Sequence, residues 1–420
     1  MPNGERGRSG IDRLNFDPFR APHSAFAMYS RPVKAGIFAL AGLNSVATTL
    51  YFYYVYFFMQ ARFGFGRMEN LVLAASLGFV YTFASIFCGR FAQRRGYFLS
   101  LRLGFFIMAV VLALGSRIHS ISGHLAAMIV CTVGMCFTWP TLEAMVSEGE
   151  TPTRLQRMVG IYNIVWATGG AFAYFTGGAM LEKLGLRSMF LVPSAMQFAQ
   201  LALAFWLEKM AAANGPTASA EENDLPTGQL ELNPRHIGQA RAFLNMAWLA
   251  NPFAYLAINT IIAVIPSLAK ELKLSPMFAG FFCSVWLFIR IGAFALLWLR
   301  PGWHYRFRWL IGAYAAMVAS FALILLVPNL PLLVGAQIVF GLAVGLIYYS
   351  SLFYSMDVGE RKSEHGGFHE AAIGAGSCAG PAIGAAAMHF FPDTSGNSAW
   401  AVSGMLIVGL AALTWQRLRK

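Results

Sequence analysis

Two ionisable side chains lie inside long apolar stretches of the sequence. Arg290 lies within FFCSVWLFIRIGAF, and Glu370, which follows His369, lies in a run rich in alanine and glycine. A charged group at the centre of an apolar helix in lipid costs about 2.5–3.5 kcal/mol on insertion scales, so we interpret both as functional candidates. We expect Arg290 to bind an anionic or polar group and Glu370 to carry a proton that His369 can share. The alternative is a structural ion pair between Arg290 and Glu370.

Polar side chains also recur at helical spacing in two other apolar stretches. Asn44, Thr48 and Tyr51 form one stripe, and Asn251, Tyr255 and Asn259 form another, because residues three or four apart share a helix face. Further candidates for binding a polar ligand are Asn163, Trp166, Tyr348 and Tyr349. The alternative for each residue is a hydrogen bond between helices that contacts no ligand.

The composition indicates that lipid surrounds the helices that carry these residues. Of 420 residues, 57% are hydrophobic and 12% are charged, against about 25% charged in soluble domains. Spanning a bilayer takes about 20 apolar residues, and twelve stretches qualify. We predict an all-α membrane protein with twelve transmembrane helices in the segments 33–207 and 242–415. A polar linker, 208–241, joins them, with a tail at 1–32 and an end at 416–420.

Charge and cysteine usage exclude other classes. The net charge of +12 lies in short clusters between apolar stretches, which does not indicate a nucleic-acid-binding face. Lys and Arg favour one side of the predicted membrane roughly threefold, which predicts cytoplasmic termini and a cytoplasmic linker. The five cysteines lie inside apolar runs, so a secreted disulfide scaffold is excluded.

The sequence carries a weak internal repeat. A shift of about 207 residues aligns the fifth predicted span with the eleventh. It places Gly160, Asn163, Gly169 and Gly177 on Gly367, Glu370, Gly376 and Gly384. We interpret this as a duplication that produced two related halves.

Two short motifs resemble those of a known family. The segment GRFAQRRGYF, residues 89–98, resembles the G-x-x-x-D-R-x-G-R-R loop of the major facilitator superfamily, with Gln93 in place of the acid. The segment GSCAGPAIG, residues 376–384, is similar to the G-x-x-x-G-P-x-x-G pattern of bending helices in these carriers. The resemblance covers the membrane region from Val33 to Trp415.

The resemblance implies two six-helix bundles, related by a pseudo-two-fold axis, that rock about a central cavity. It implies that helices one, four, seven and ten line this cavity. It further implies that the loop between spans two and three contacts the end of helix four, where Glu143 would pair with Arg94 or Arg95. By the same resemblance the protein is a monomer.

The function predicted on this basis is secondary active transport of a small solute by alternating access, coupled to protons. A sugar, sugar acid or organic acid suits a lining of amides, phenols and one arginine. The sequence has no G-x-x-x-x-G-K-[ST], H-E-x-x-H, G-x-S-x-G or C-x-x-C motif, so we expect no ATPase, no enzyme, no cofactor and no metal. Alternatives are a lipid flippase, a transporter-like sensor and, less favoured, a polytopic transferase. The expected partners are a small-molecule substrate, protons and the lipid bilayer, without nucleic acid, and the expected location is a bacterial inner membrane.

Overall fold

The computed structural model describes residues 29–148, 150, 152–214, 234–358 and 362–418 and is almost entirely helical. The helices of the first half are α1 (Arg31–Phe63), α2 (Arg67–Arg95), α3 (Tyr97–Gly115), α4 (Ile121–Ser147), α5 (Pro152–Leu184) and α6 (Ser188–Asn214). Those of the second half are α7 (Pro234–Glu271), α8 (Pro276–Cys283), α9 (Val285–Leu299), α10 (Phe307–Leu326), α11 (Leu330–Val358), α12 (Lys362–Phe390) and α13 (Asn397–Leu418). Because α8 and α9 together form one span, twelve helical segments are long and apolar enough to cross a membrane.

The helices pack as two six-helix bundles, which confirms the predicted fold class. In the first half α1 packs against α5 and α6, and in the second half α7 packs against α11 and α12. The halves meet along two pairs: α2 packs against α12, and α5 packs against α8 and α9. A pseudo-two-fold axis relates the first six spans to the last six. Rotation about it places the α2–α12 pair on the pair formed by α5 with α8 and α9, as expected for duplicated halves.

We call the side of the bundle at which α1 begins and α2 ends the N face. The predicted tail lies largely outside the described residues, as do most of the linker and the last two residues. The division into segments and the cytoplasmic position of the N face therefore stay predictions. The described helices extend beyond the predicted segments, with α6 reaching Asn214 and α7 beginning at Pro234. Hydropathy identifies only the apolar part of a helix, and polar turns at its ends escape it.

The eighth span is broken at Ser284, where the sequence predicts a continuous helix. Gln337 of α11 supports the break from the side: its Nε2 donates to the carbonyl of Phe282 at 2.7 Å. Its Oε1 accepts from the backbone N–H of Trp286 at 3.4 Å. In a membrane, backbone groups freed from a helix need such internal partners. One buried side chain thus bonds to backbone groups on both sides of the break that precedes α9, the helix that carries Arg290.

Small residues let the helices of different bundles approach closely. Gly178 of α5 lies against the backbone of Pro276 at the start of α8, where a Cβ would collide with the Pro276 carbonyl. Gly78 of α2 lies in the same way against the backbone of α12 at Ser377 and Cys378. Close approach through small residues is the usual way in which membrane helices associate. Both contacts between the bundles therefore depend on glycine.

Candidate functional site

A cavity of about 210 Å³ lies between the two bundles. Its walls come from α1, α2, α4 and α5 of the first half and from α7, α9, α11 and α12 of the second. The predicted site residues that line it are Thr48, Trp166, Tyr255, Asn259, Arg290 and Tyr348, with Glu143 and Glu370. The structure therefore brings together residues that are far apart in the sequence at one place between the halves.

Arg290 lies in the wall of this cavity among aromatic rings. Its guanidinium carbon is 4.6 Å from the ring centre of Trp166, 5.1 Å from that of Trp286 and 5.8 Å from that of Phe294. Such contacts hold a cation through the electron-rich ring faces and contribute about 0.5–2 kcal/mol each. Among the described residues, Arg290 forms no ion pair with a carboxylate, so the alternative of an Arg290–Glu370 pair is wrong.

Two carboxyl groups, one from each half, meet at the N-face end of the cavity. Glu143 of α4 and Glu370 of α12 are both buried, and their side chains are within hydrogen-bonding reach of each other. Tyr81 of α2 donates to Oε2 of Glu370 at 2.5 Å, and the phenol of Tyr348 contacts Glu143. We call Glu143 and Glu370 the carboxyl pair. Two carboxylates in contact repel, so a hydrogen bond between them requires a shared proton.

Oε2 of Glu143 is buried and accepts no hydrogen bond within the part of the chain that the structure describes. A proton held between the two carboxyl groups would satisfy this oxygen, since a protonated carboxyl is a donor as well as an acceptor. The helix α12 begins at Lys362, about two turns before Glu370, so Glu370 lies well inside the helix and not at its end. This depth places it beside the cavity and away from the surface.

His369 neighbours Glu370 in sequence but points elsewhere. Its Nδ1 lies 3.3 Å from Oγ of Ser351, and its ring packs edge-on against Tyr348 with centres 5.5 Å apart. It is buried and does not line the cavity. Consecutive helix positions are about 100° apart, which explains why one of the two neighbours faces the cavity and the other packs between helices.

Three predicted amides lie between helices and not in the cavity. Asn44 donates to Oγ1 of Thr138 at 3.1 Å, and Asn163 accepts from Nε1 of Trp166 at 3.0 Å. Asn251 is buried and lies towards the N face, one turn from Tyr255. Only Asn44 follows the alternative of a hydrogen bond between helices, since the Asn163 bond lies within α5 and neither polar atom of Asn251 has a hydrogen-bond partner among the described residues. A helical stripe extends along the whole span, whereas the cavity occupies only part of it.

Two predicted aromatic residues also lie away from the cavity. Tyr51 packs against Phe190 with ring centres 5.8 Å apart, and Tyr349 packs against Trp303 at 5.7 Å. Tyr348 lines the cavity and its sequence neighbour Tyr349 does not, because consecutive helix positions are about 100° apart.

The expected pairing of Glu143 with Arg94 or Arg95 is not formed. Both arginines are exposed in the last turn of α2, whereas Glu143 is buried in the carboxyl pair. Glu143 lies one turn inside the end of α4, which lets Glu370 and Tyr348 approach it from the second half. The structure therefore assigns Glu143 to the contact between the halves.

The cavity has further polar residues that the sequence did not single out. These are Ser45, Thr49, Tyr53, Tyr56, Tyr81, Thr132 and Tyr162. Tyr81 could have been found as the largest hydrogen-bonding side chain in the middle of an otherwise apolar second span. Ser377 also lines the cavity, and its Oγ accepts a hydrogen bond from Nδ2 of Asn259 at 2.8 Å. One N–H of this amide therefore already has a partner within the protein.

A chain of twelve membrane-spanning helices with a polar cavity between two related bundles defines a multi-pass membrane transporter, not an enzyme. Residues 37–381 match the family model of the Major Facilitator Superfamily. The protein therefore belongs to this superfamily, which confirms the resemblance found in its two motifs. Its bacterial inner-membrane location and monomeric state stay predictions.

Curated relatives match over part of their length. The chain is 25% identical over 190 residues to the MFS-type transporter qa-x of Neurospora crassa, covering 41% of this chain and 35% of that protein. It is 26% identical over 143 residues to a quinate permease of Neurospora terricola, covering 32% of this chain and 27% of that protein. The chain thus matches about a third of the length of these relatives.

Solved structures match nearly the whole chain. The nucleoside transporter NupG superimposes with a TM-score of 0.64 at 16% identity, covering 91% of this chain and 98% of that one. The human organic anion transporter MFSD10 gives a TM-score of 0.66 at 14% identity, covering 91% and 99%. A bacterial homolog of the human lysosomal transporter Spinster, inward-facing and occupied, gives 0.68 at 14% identity, covering 93% and 97%. At these identities the likeness shows the fold.

Proposed function

We propose that this transporter moves a small polar solute by alternating access and couples the movement to protons. The observation that carries the proposal is the carboxyl pair, because Glu143 and Glu370 come from different halves and meet beside the cavity. A buried acid at the contact between two moving bundles can take up a proton in one arrangement and release it in another. Proton binding is then linked to the position of the halves.

The size and lining of the cavity support a small polar cargo. At about 210 Å³ it is smaller than the roughly 300–1,000 Å³ of pockets that bind drug-sized ligands. Hydroxyl, phenol and amide groups alternate with apolar and aromatic side chains along its walls. These features favour a sugar, sugar acid or organic acid over a lipid. Similarity to a quinate permease agrees with the organic-acid class.

Contacts at both ends of the bundles support alternating access. At the face opposite the N face, Nη2 of Arg67 lies 2.6 Å from Oε1 of Glu271, which joins α2 to α7. At the same face the N–H of Met277 donates to Glu182 at 2.8 Å, which joins α8 to α5. The carboxyl pair joins α4 to α12 on the other side of the cavity. If the contacts on one face of the protein release while those on the other face hold, the cavity opens to one side of the membrane at a time.

The test uses purified protein in proteoliposomes with an imposed pH gradient. A thermal-shift screen of sugars, sugar acids and organic acids first selects solutes that stabilise the protein, since ligands of the native state raise its apparent stability. Glu370→Gln is then expected to retain exchange of the selected solute but to lose accumulation against its gradient. Glu208→Gln is the matched control, because Glu208 pairs with Arg102 outside the cavity. Unchanged uphill accumulation by Glu370→Gln would refute proton coupling through this residue.

A further inference from the structure

The charged groups of the cavity bear on the charge of the cargo and on the number of protons that cross with it. We propose that the cargo is a small monocarboxylate, bound at Arg290, and that each anion crosses with one proton without net movement of charge. The inference rests on the proposed proton-coupled transport and goes beyond it by fixing the charge of the cargo and the stoichiometry.

Few ionisable groups of the described part of the chain lie in the wall of the cavity. They are Arg290, Glu143 and Glu370, together with the phenols of Tyr53, Tyr56, Tyr81, Tyr162, Tyr255 and Tyr348. A guanidinium is charged at any physiological pH, and phenols are neutral there. The net charge of the cavity is therefore set by Arg290 and by the number of protons on the carboxyl pair.

With one shared proton the carboxyl pair carries a single negative charge. The positive charge of Arg290 balances it, so the empty cavity is neutral overall. A second proton would make the pair neutral and leave Arg290 uncompensated. Uncompensated charge in a low-dielectric interior costs several kcal/mol, so a second proton and a monovalent anion stabilise each other there. This coupling is reciprocal, because linkage between two binding sites acts equally in both directions.

The surroundings of Arg290 suit a carboxylate. The rings of Trp166, Trp286 and Phe294 hold the guanidinium, and they accept no conventional hydrogen bond through their faces. Nε of Arg290 is buried and has no hydrogen-bond partner within the described residues. A planar guanidinium binds a carboxylate through two parallel hydrogen bonds, which a neutral hydroxyl cannot reproduce. Tyr53 and Tyr255 are close enough to interact electrostatically with Arg290 and can meet hydroxyl groups of the cargo.

The other titratable groups around the carboxyl pair do not alter this charge count. Among the side chains that the structure describes, they are Tyr81 of α2, Cys136 of α4, Tyr162 of α5, Tyr255 of α7, Tyr348 of α11 and His369 of α12. The phenols and the thiol are neutral at physiological pH. His369 is directed towards Ser351, outside the cavity wall. His369→Gln is therefore expected to leave the stoichiometry unchanged.

The experiment compares charged and neutral solutes of similar shape in proteoliposomes containing the full chain. The probes are glucuronate, quinate and lactate, with glucose as the neutral counterpart of glucuronate, since both form the same pyranose ring. Uptake is measured once with a pH gradient at zero membrane potential and once with a potassium-valinomycin potential at equal pH. We expect at least one of the monocarboxylates to accumulate about tenfold per pH unit of gradient, with no accumulation driven by the potential alone.

The possible results test the anionic cargo, the one-to-one stoichiometry and the proton coupling separately. Accumulation of glucose, but of no monocarboxylate, in response to the pH gradient would overturn the anionic cargo and leave the proposed proton coupling intact. Accumulation of an anion driven by the potential alone would overturn the one-to-one stoichiometry. If no probe accumulates under either gradient, both this inference and the proposed function fail.

Variants of Arg290 test the binding site itself. Arg290→Gln is expected to reduce uptake of the accumulated monocarboxylate at least about a hundredfold, and Arg290→Lys, which keeps the charge but loses the planar fork, about tenfold. Arg102→Gln is the matched control, since Arg102 also lies over an aromatic ring, that of Phe205, but outside the cavity. Wild-type anion uptake by Arg290→Gln, or an equal loss in Arg102→Gln, would overturn the assignment. If Arg290→Gln does not fold, uptake by Arg290→Lys and the two-gradient measurement still test whether Arg290 binds the anion.

Discussion

Tyr81 of α2 donates a hydrogen bond of 2.5 Å to Oε2 of Glu370 on α12. The two residues are 289 positions apart in the sequence and belong to different halves of the protein. The same carboxyl group is within hydrogen-bonding reach of Glu143 on α4. Glu370 is therefore held by two helices of the first half, and any movement of the halves at this level changes its surroundings.

Tyr81→Phe tests this link. The variant keeps the ring and removes the hydroxyl, and a hydrogen bond to a charged group contributes about 1.5–3 kcal/mol. We expect uphill uptake in a pH gradient to fall by about tenfold or more while the protein stays monodisperse. Tyr314→Phe is the control, because Tyr314 of α10 is also buried but lies outside the cavity, and its hydroxyl has no hydrogen-bond partner among the described residues. Equal effects of the two substitutions would contradict a specific role for the Tyr81 hydroxyl.

Trp166→Leu tests how Arg290 is held. The substitution removes the ring that lies 4.6 Å from the guanidinium carbon. With a cation–π contribution of about 0.5–2 kcal/mol, affinity for the transported solute is expected to fall about twofold to thirtyfold. Trp166→Phe retains an aromatic face and loses only the Nε1 hydrogen bond to Asn163, so its affinity is expected to fall less. Thermal-shift titration with the solute measures both, and the reverse order would be evidence against the cation–π contact.

Gln337→Leu tests the break in the eighth span. Without the amide, the Phe282 carbonyl and the Trp286 N–H lose their side-chain partner, and each unsatisfied buried group costs about 1–3 kcal/mol. We expect a lower unfolding temperature in detergent and weaker transport, since α9 carries Arg290. Ser320→Ala is the control, because this buried hydroxyl donates only to carbonyls of its own helix. An unfolding temperature as high as that of Ser320→Ala would show that the break does not need Gln337.

Gly178 and Gly292 allow a test of close helix packing with two identical substitutions. A Cβ at Gly178 would collide with the backbone of Pro276, whereas a Cβ at Gly292 meets no atom of the described residues. Alanine is favoured over glycine in a helix by about 1 kcal/mol, so Gly292→Ala is expected to preserve or raise the unfolding temperature. Gly178→Ala is expected to lower it. Equal shifts would mean that α5 and α8 can separate slightly without loss.

Much of the fold could be predicted from the sequence because the bilayer imposes simple rules. A span needs about 20 apolar residues, and every spanning segment must satisfy its own backbone, so twelve apolar stretches become twelve helices. The break at Ser284 was missed; the side chain that bonds to the backbone on both sides of it, Gln337, is 53 positions away and on another helix. Hydropathy carries no information on such a contact.

The candidate site was predicted only in part, because the sequence does not give the rotation of each helix about its own axis. A helical stripe such as Asn251, Tyr255 and Asn259 tells which residues share a face but not what that face meets. Tyr255 and Asn259 line the cavity, whereas Asn251 does not. Tyr348 and Tyr349 were both predicted as candidates, although only Tyr348 lines the cavity.

Local composition was enough to predict the membrane class, the twelve spans and the position of Arg290 and Glu370 inside apolar stretches. That these two residues do not pair follows only from the packing of the helices. Arg290 is enclosed by aromatic rings, and Glu370 meets Glu143 and Tyr81. The physical reason is that partners of a buried group come from helices far away in the chain, and only the packing of two bundles brings them within hydrogen-bonding distance.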